Sequence, residues 1–318
     1  MSAAGISRPP QRPGGYRPPP CHRDGGPSVE TVLITGANSG IGRAAALRMA
    51  RSGYRVYAAM RSTAKADKLL AQAAQAGCEV HLVELDVTDA SSVLRGSRQV
   101  LEDAGQLDVL INNAGIAWNA TVEDVDVEAA KVVFETNYWG VIRCIQAVLP
   151  AMRERGSGHV VNVSSVAGRF AALAQPIYAS SKWALECLSE NLAQEVAPFG
   201  IRVSVIEPGV ARTAILPKNV GHPQPTAYAA AYRRMLQFYA KGIEAAVPAE
   251  VVAEALLRIL RDPNPPFRTT CAWGGAELCS ARSRISDADW VALGALRDDE
   301  VYYERFEELF GLDLRSAR

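Results

Sequence analysis

The stretch TVLITGANSGIGRAAALRMA, residues 31–50, joins a β-branched run to an apolar helical stripe through three glycines. No other feature restricts the fold of this chain as much. Val32, Leu33 and Ile34 read as a strand buried on both faces, and Ile41, Ala45 and Met49 recur at helical spacing before Gly53. A loop between a strand and a helix aims backbone N–H groups and the positive end of the helix dipole at whatever lies above the strand end, which suits a phosphate. Gly36 permits the sharp turn, Gly40 lets the backbone approach a ligand, and Gly42 lets helix and strand pack closely. Asn38, Ser39 and Ile41 complete the loop. At this place in a strand–turn–helix unit the pattern points to a dinucleotide.

The alternation continues downstream. Strands are expected at 54–60, 80–87, 108–115, 159–165 and 201–209. Helices are expected at 64–76, 91–105 and 128–156, with another carrying Tyr178. Short apolar strands alternating with helices predict an α/β fold: one doubly wound parallel sheet, Rossmann-like, over residues 31–262. Beyond the last strand, helices are expected at 226–246 and 248–260, then a turn-rich connector, DPNPPFRTT, at 262–270. A C-terminal extension over 263–318 has apolar residues at helical spacing and is expected to cap the domain. Residues 1–30 are rich in Pro, Gly and Arg with little to bury, so a disordered tail is expected. Its PxxP spacing at Pro10 and Pro13 reads as a by-product of that composition, and the natural start is expected nearer Val29.

Charge excludes several classes of partner. Lys plus Arg and Asp plus Glu each number 34, which gives no electrostatic footprint for nucleic acid or an anionic membrane. No apolar run approaches bilayer-spanning length. The 6 cysteines and 4 histidines are scattered, with no CxxC pair, so no metal site is expected and the thiols read as reduced, in a cytoplasmic protein.

The end of the second strand bears on which dinucleotide binds. An acidic residue there accepts from the ribose 2′-hydroxyl of NAD. This chain has Met60 and then Arg61, whose guanidinium can pair with a 2′-phosphate. NADP(H) is therefore expected over NAD(H). Asp86, followed by Val87, ends the third strand and can accept from an adenine amino group. The NNAG run places Asn112 and Asn113 at the end of the fourth strand, with small Ala114 and Gly115 leaving space beside the ribose. Asn112 can equally serve only to bond neighbouring loops.

PIYASSKWAL, residues 176–185, sets Tyr178 and Lys182 on one face of a helix. A phenol with a pKa near ~10 is a poor acid–base group at neutral pH, and a cation at about 4–6 Å favours its ionised form. Ser165 closes the strand just upstream, where its hydroxyl can hold a carbonyl oxygen. Asn137 lies within an expected helix, where a residue that competes for backbone hydrogen bonds is out of place. It is either an internal polar plug or functional.

Taken together, TGANSGIG, LDV, NNAG, the strand-terminal serine, YASSK and PGVART resemble the short-chain dehydrogenase/reductase family, in its single-domain branch, over about residues 31–262. The resemblance implies a catalytic tetrad of Asn137, Ser165, Tyr178 and Lys182. Tyr178 would be the general acid/base and Ser165 would hold the substrate oxygen. Lys182 would bind the nicotinamide ribose and lower the phenol pKa, and Asn137 would anchor a water leading to solvent. By the same likeness Pro208, Gly209, Val210 and Thr213 would neighbour the nicotinamide. VYAAMR, MLQFYAKGIEAA and DPNPPFR look most like the subgroup of retinol and hydroxysteroid (17-beta) dehydrogenases, which prefers NADP(H). Hydride transfer to or from a carbonyl or secondary alcohol of a small apolar substrate follows from the resemblance.

The apolar character rests on Ala229, Met235, Leu236, Phe238 and Tyr239 as lid residues, though ordinary core packing would also use them. A catalytically silent NADP-binding sensor or scaffold is the alternative; such proteins typically lose part of the tetrad. A sugar-nucleotide epimerase or dehydratase would have another glycine spacing and a larger C-terminal domain. The stripe Leu185, Leu188, Leu192 and Val196 faces either the sheet or a partner subunit, and the family likeness implies a homodimer or homotetramer.

Overall fold

A computed structural model describes residues 29–213 and 226–315. Pro10, Pro13 and nearly all of the expected tail lie outside them. The first half of the chain runs β1 (Thr31–Thr35), α1 (Gly40–Ala50), β2 (Arg55–Met60), α2 (Asp67–Gln75), β3 (His81–Glu84), α3 (Ala90–Ala104), β4 (Val109–Asn112), α4 (Val127–Phe134), α5 (Gly140–Arg155) and β5 (Gly158–Val163). The second half runs α6 (Pro176–Val196), β6 (Ile201–Pro208), β7 (Ala211–Arg212), α7 (Ala229–Glu244), β8 (Val247–Pro248), α8 (Ala249–Arg261), β9 (Arg268–Cys271), α9 (Gly275–Arg282), α10 (Asp287–Ala295) and α11 (Asp299–Phe310).

Seven strands form one sheet in the order β3-β2-β1-β4-β5-β6-β9, parallel throughout. The order reverses between β1 and β4, where Val32 pairs with Val109, and a crevice opens there beyond the strand ends. Side chains of a strand alternate between faces, so β1 feeds two cores. Val32 and Ile34 pack with α1, α2 and α8, whereas Leu33 packs with α3, α5 and α6. Leu185, Leu192 and Val196 belong to the second core, with Leu188 packed against it, so that stripe faces the sheet.

Three expectations about elements change. DPNPPFRTT is not only a connector: Arg268–Cys271 pairs with β6 as the edge strand β9, carrying the sheet past residue 262. Four half-buried residues, three of them polar, after two prolines carry little strand signal. The helix expected over 128–156 is interrupted by a π-helical turn at Glu135–Trp139, which separates α4 from α5. The strand expected over 80–87 is shortened to His81–Glu84, leaving Asp86 and Val87 in the loop above it.

Within the expected cap, α9, α10 and α11 pack behind Phe170 and Phe238, which line the crevice. Phe306 and Phe310 stack with ring centres 4.5 Å apart, and Phe170 meets Phe310 edge-on at 5.2 Å. Trp290, Phe238 and Trp273 join the same aromatic core. Among the described residues no helix is long and apolar enough to cross a membrane.

Candidate active site

The crevice is a cleft of about 890 Å³. At its floor α1 starts at Ser39 with no side-chain cap and no acidic residue in its first turn, so its first N–H groups are available to an anion. Gly36 and Gly40 have φ of +66° and +54°, a conformation that other residues rarely adopt. A Cβ on Gly42 would lie 2.4 Å from the Gly36 carbonyl oxygen. Gly42 therefore packs beneath the loop, while Gly36, Asn38, Ser39, Gly40 and Ile41 line the cleft. Such a cradle fits a pyrophosphate.

Asn113 holds this cradle from below. Its amide nitrogen Nδ2 donates to the Thr35 carbonyl at 2.9 Å and the Gly36 carbonyl at 3.3 Å. The Thr35 hydroxyl in turn accepts from the backbone of Asn113 and of Ala114, each at 3.0 Å. Thr35 is a site residue that sequence reading missed, as it looked like an ordinary strand end. Asn112 is buried in the sheet and donates to Asn162 of β5 at 2.9 Å, so its bond runs across the strands rather than to loops.

Arg61 stands exposed on the cleft wall, with Ser62 and Lys65 beside it. Neither neighbour was foreseen; a second cation four residues on was the available signal. Asp86 lines the cleft too, its Oδ1 accepting from the Thr88 backbone at 2.9 Å and hydroxyl at 2.8 Å. Val87 packs under the start of α5, where a Cβ on Gly140 would come within 2.9 Å of it. Val210 donates its N–H to Trp273 at 2.9 Å, and Thr213 closes over Gly40. Pro208, Gly209, Val210 and Thr213 all line the cleft.

The candidate acid–base group lines the same cleft. Pro176 opens α6 at its first helical position, where its missing N–H does no harm. The helix then presents Tyr178 and Lys182 to the cleft. Lys182 donates to the Val163 carbonyl at 2.8 Å, and its nitrogen lies 5.9 Å from the centre of the Tyr178 ring. Burial draws the Lys182 amine down to about 8, and Glu186 pushes it back up. The Tyr178 phenol moves the other way from expectation: burial raises it above its ordinary value, and a hydrogen bond with the Ser165 hydroxyl lowers it in part. In the protein alone, desolvation thus outweighs the Ser165 hydrogen bond.

Ser165 is held by its own turn. Its Oγ accepts from Ala167 N–H at 3.2 Å and donates to the Pro208 carbonyl at 3.4 Å. Asn137 sits in the π turn, only 1% exposed. Its side chain bonds both backbone groups of Ile116, accepting at 2.9 Å and donating at 2.8 Å, and donates to Ser181 at 3.0 Å. The side-chain amide is therefore engaged in fixing the Ile116 loop. A Cβ on Gly115 would lie 3.3 Å from Asn137 Oδ1 and 3.8 Å from the Lys182 nitrogen, so both converge on that glycine.

The far end of the cleft mixes aromatic and polar groups. Phe170 and Phe238 line it with Tyr239 and Gln175. Gln175 Nε2 donates to the Tyr239 hydroxyl, which donates to Asn119 Oδ1 at 3.4 Å. Burial, then the nearby Tyr178, pushes the Tyr239 phenol well above its usual range. Met235 instead packs with Ala174 and Tyr232, with Leu236 against them, and Ala229 begins α7 outside the cleft.

Comparison with known proteins identifies the family. The chain is 36% identical to human 17-beta-hydroxysteroid dehydrogenase type 1 over 250 residues, covering 74% of this chain and 76% of that protein. A short-chain dehydrogenase structure from Streptomyces avermitilis superposes with a TM-score of 0.72 at 33% identity, covering 85% of this chain and 99% of that one. An alcohol dehydrogenase from the archaeon Thermococcus sibiricus, complexed with 5-hydroxy-NADP, gives 0.64 at 27% identity, covering 77% of this chain and 96% of that one. The family described as short chain dehydrogenase matches residues 30–223, the segment that builds the glycine cradle and carries Tyr178 and Lys182. The chain therefore belongs to the short-chain dehydrogenase family and is a nicotinamide-dependent oxidoreductase.

Proposed function

We propose that this protein is an NADP(H)-dependent oxidoreductase that moves a hydride between nicotinamide and a carbonyl or secondary alcohol of an apolar substrate. The observation that carries the reading is the Tyr178 phenol in the cleft, hydrogen-bonded with Ser165 and one helical turn from Lys182. When bound, the cofactor supplies or accepts the hydride at its nicotinamide ring. Tyr178 donates a proton to the substrate oxygen in reduction and takes it back in oxidation. Ser165 donates to that oxygen and orients it. Lys182 holds the nicotinamide ribose and places positive charge beside the phenol. Asn137 acts through Ile116 and Ser181, fixing the wall against which Lys182 sits.

Arg61 supports NADP(H) over NAD(H), because no carboxylate follows β2 and a guanidinium suits a 2′-phosphate. Asn38, Ser39, Lys65 and the N–H groups of α1 complete the phosphate-binding end, and Asp86 the adenine end. Phe170 and Phe238 support an apolar substrate, with the Gln175–Tyr239 pair able to orient a polar group on it. We place the protein in the cytoplasm, following its dispersed cysteines. We also propose a homodimer or homotetramer that buries Val132, Trp139 and Trp183, which are 53%, 49% and 49% exposed on adjoining helical segments.

NADPH consumption across a panel of hydrophobic ketones tests the reading. Turnover of at least one is expected, with faster rates for bulkier apolar ketones. Tight NADPH binding with no turnover across such a panel would instead favour the silent sensor or scaffold.

A further inference from the structure

Behind Tyr178 and Lys182 lies a second set of charges that the reaction as proposed leaves unused. Glu186 follows Lys182 by one turn of α6, and both are buried, at 4% and 5% exposure. Glu207 of β6 is 2% exposed. Arg268 of β9 joins them: its Nε donates to Glu186 Oε2 at 2.8 Å and lies 3.5 Å from Glu207 Oε1. Another nitrogen of Arg268 donates to Glu190 at 2.6 Å. Arg169, next to the Val166–Gly168 turn, reaches Glu207 at 3.4 Å. Cys279 of α9 is near the same acids, but burial, reinforced by Glu207, holds its thiol up at about 12, so it stays neutral.

Two oxygens here are buried without a hydrogen-bond partner, Glu186 Oε1 and Ser164 Oγ. A Cβ on Gly168 would lie 2.8 Å from Ser164 Oγ and 3.3 Å from Glu186 Oε1, so both converge on the bare backbone of that glycine. Ser164 stands between Val163, whose carbonyl accepts from Lys182, and Ser165, whose hydroxyl meets the phenol. The carboxylate therefore reaches the underside of the loop that carries the site. A buried ammonium is costly unless an opposite charge accompanies it. The hydrogen bond from Lys182 goes to a neutral carbonyl, so the compensating charge must come from beyond that bond.

We propose that Glu186 is a positioning residue for Lys182: fixed by Arg268 of the edge strand, its carboxylate keeps the amine protonated at neutral pH. The charge that Tyr178 relies on would then be set from β9, outside the cleft. This rests on the Tyr178–Lys182 reading above. The groups facing Glu186 are Lys182 and Glu190 on its own helix, Arg268, Glu207, Arg169 and the neutral Cys279.

Competitive acylation of the full-length protein between about pH 6 and 11, read at Lys182 by mass spectrometry, measures its ionisation without turnover. Glu186→Gln is expected to lower the midpoint by about one pH unit or more, and Glu186→Asp to restore most of that. Glu190→Gln, which also frees Arg268 of a partner but from a side chain 55% exposed, is expected to leave it in place. An unmoved midpoint in Glu186→Gln with a native circular dichroism spectrum overturns the proposal, as does an equal shift in Glu190→Gln. Should Glu186→Gln not fold, Glu186→Met, which fills similar space without a charge, takes its place, with a similar downward shift expected and no shift overturning the proposal. Failure here would leave the Tyr178 assignment intact, since that is tested by turnover of Tyr178→Phe.

Discussion

The Lys182 nitrogen lies 5.9 Å from the centre of the Tyr178 ring, and its 2.8 Å hydrogen bond runs to the Val163 carbonyl instead of to the phenol. Burial dominates both groups in the protein alone, raising the phenol and drawing the amine down to about 8. At neutral pH the phenol then keeps its proton while the amine is largely charged. That is the protonation state from which a carbonyl would be reduced.

Tyr178→Phe removes the proposed proton donor and leaves the ring in place. Turnover is expected to fall about 10²–10⁴-fold, with NADPH affinity little changed. Steady-state rates beside fluorescence titration of NADPH check this, and wild-type turnover would remove the proton role.

Arg61→Ala removes the guanidinium that directly follows β2. Hydrogen bonds to charged groups contribute about 1.5–3 kcal/mol, so the NADPH KM should rise roughly 10–100-fold while that for NADH stays level. Equal KM changes for both cofactors would reject Arg61 as the 2′-phosphate partner.

Lys182 should give a pH signature in stability. Its amine is at about 8 in the fold against 10.5 in an exposed lysine, so the folded state disfavours its proton. Below about pH 8 both states are protonated and the whole penalty is present. Between about pH 8 and 10.5 the unfolded chain holds more protons, so this contribution becomes less unfavourable as pH rises. Lys182→Met is accordingly expected to be more stable than the wild type at pH 7, by up to about 3 kcal/mol, with the gap closing by about pH 11. Denaturant unfolding across that range measures it; a gap independent of pH would contradict the buried-amine account.

Gly209→Ala and Gly294→Ala should part in sign. A Cβ on Gly209 would stand 1.8 Å from the Trp273 carbonyl oxygen, so the junction of β6 with the segment after β9 must shift. A loss of about 3 kcal/mol is expected. Gly294, inside α10 with nothing within 4 Å, should gain about 0.5–1 kcal/mol as alanine. Urea midpoints of the two variants decide it, and equal shifts would refute the close approach at Gly209.

Trp183→Glu places a charge on the exposed face of α6 away from both cores. If copies pair there, the variant should sediment as a smaller species than the wild type, with NADPH binding retained. An unchanged sedimentation coefficient would exclude this face.

What could be read from residues alone was local. The glycine cradle lies within one strand–turn–helix unit, and the Tyr178–Lys182 pair within one helical turn, so spacing suffices to bring their atoms together. Parallel strands alternating with helices likewise follow from short-range apolar pattern. Tertiary structure alone decided the rest. The Gln175–Tyr239 bond joins residues 64 apart in sequence, and Arg268 meets Glu186 across 82. β9 is four half-buried residues, three of them polar, that become a strand only because β6 offers them an edge. The direction in which Tyr178 titrates is of the same kind, since the solvent a phenol loses is removed by segments distant in the chain, and no neighbouring residue records how much.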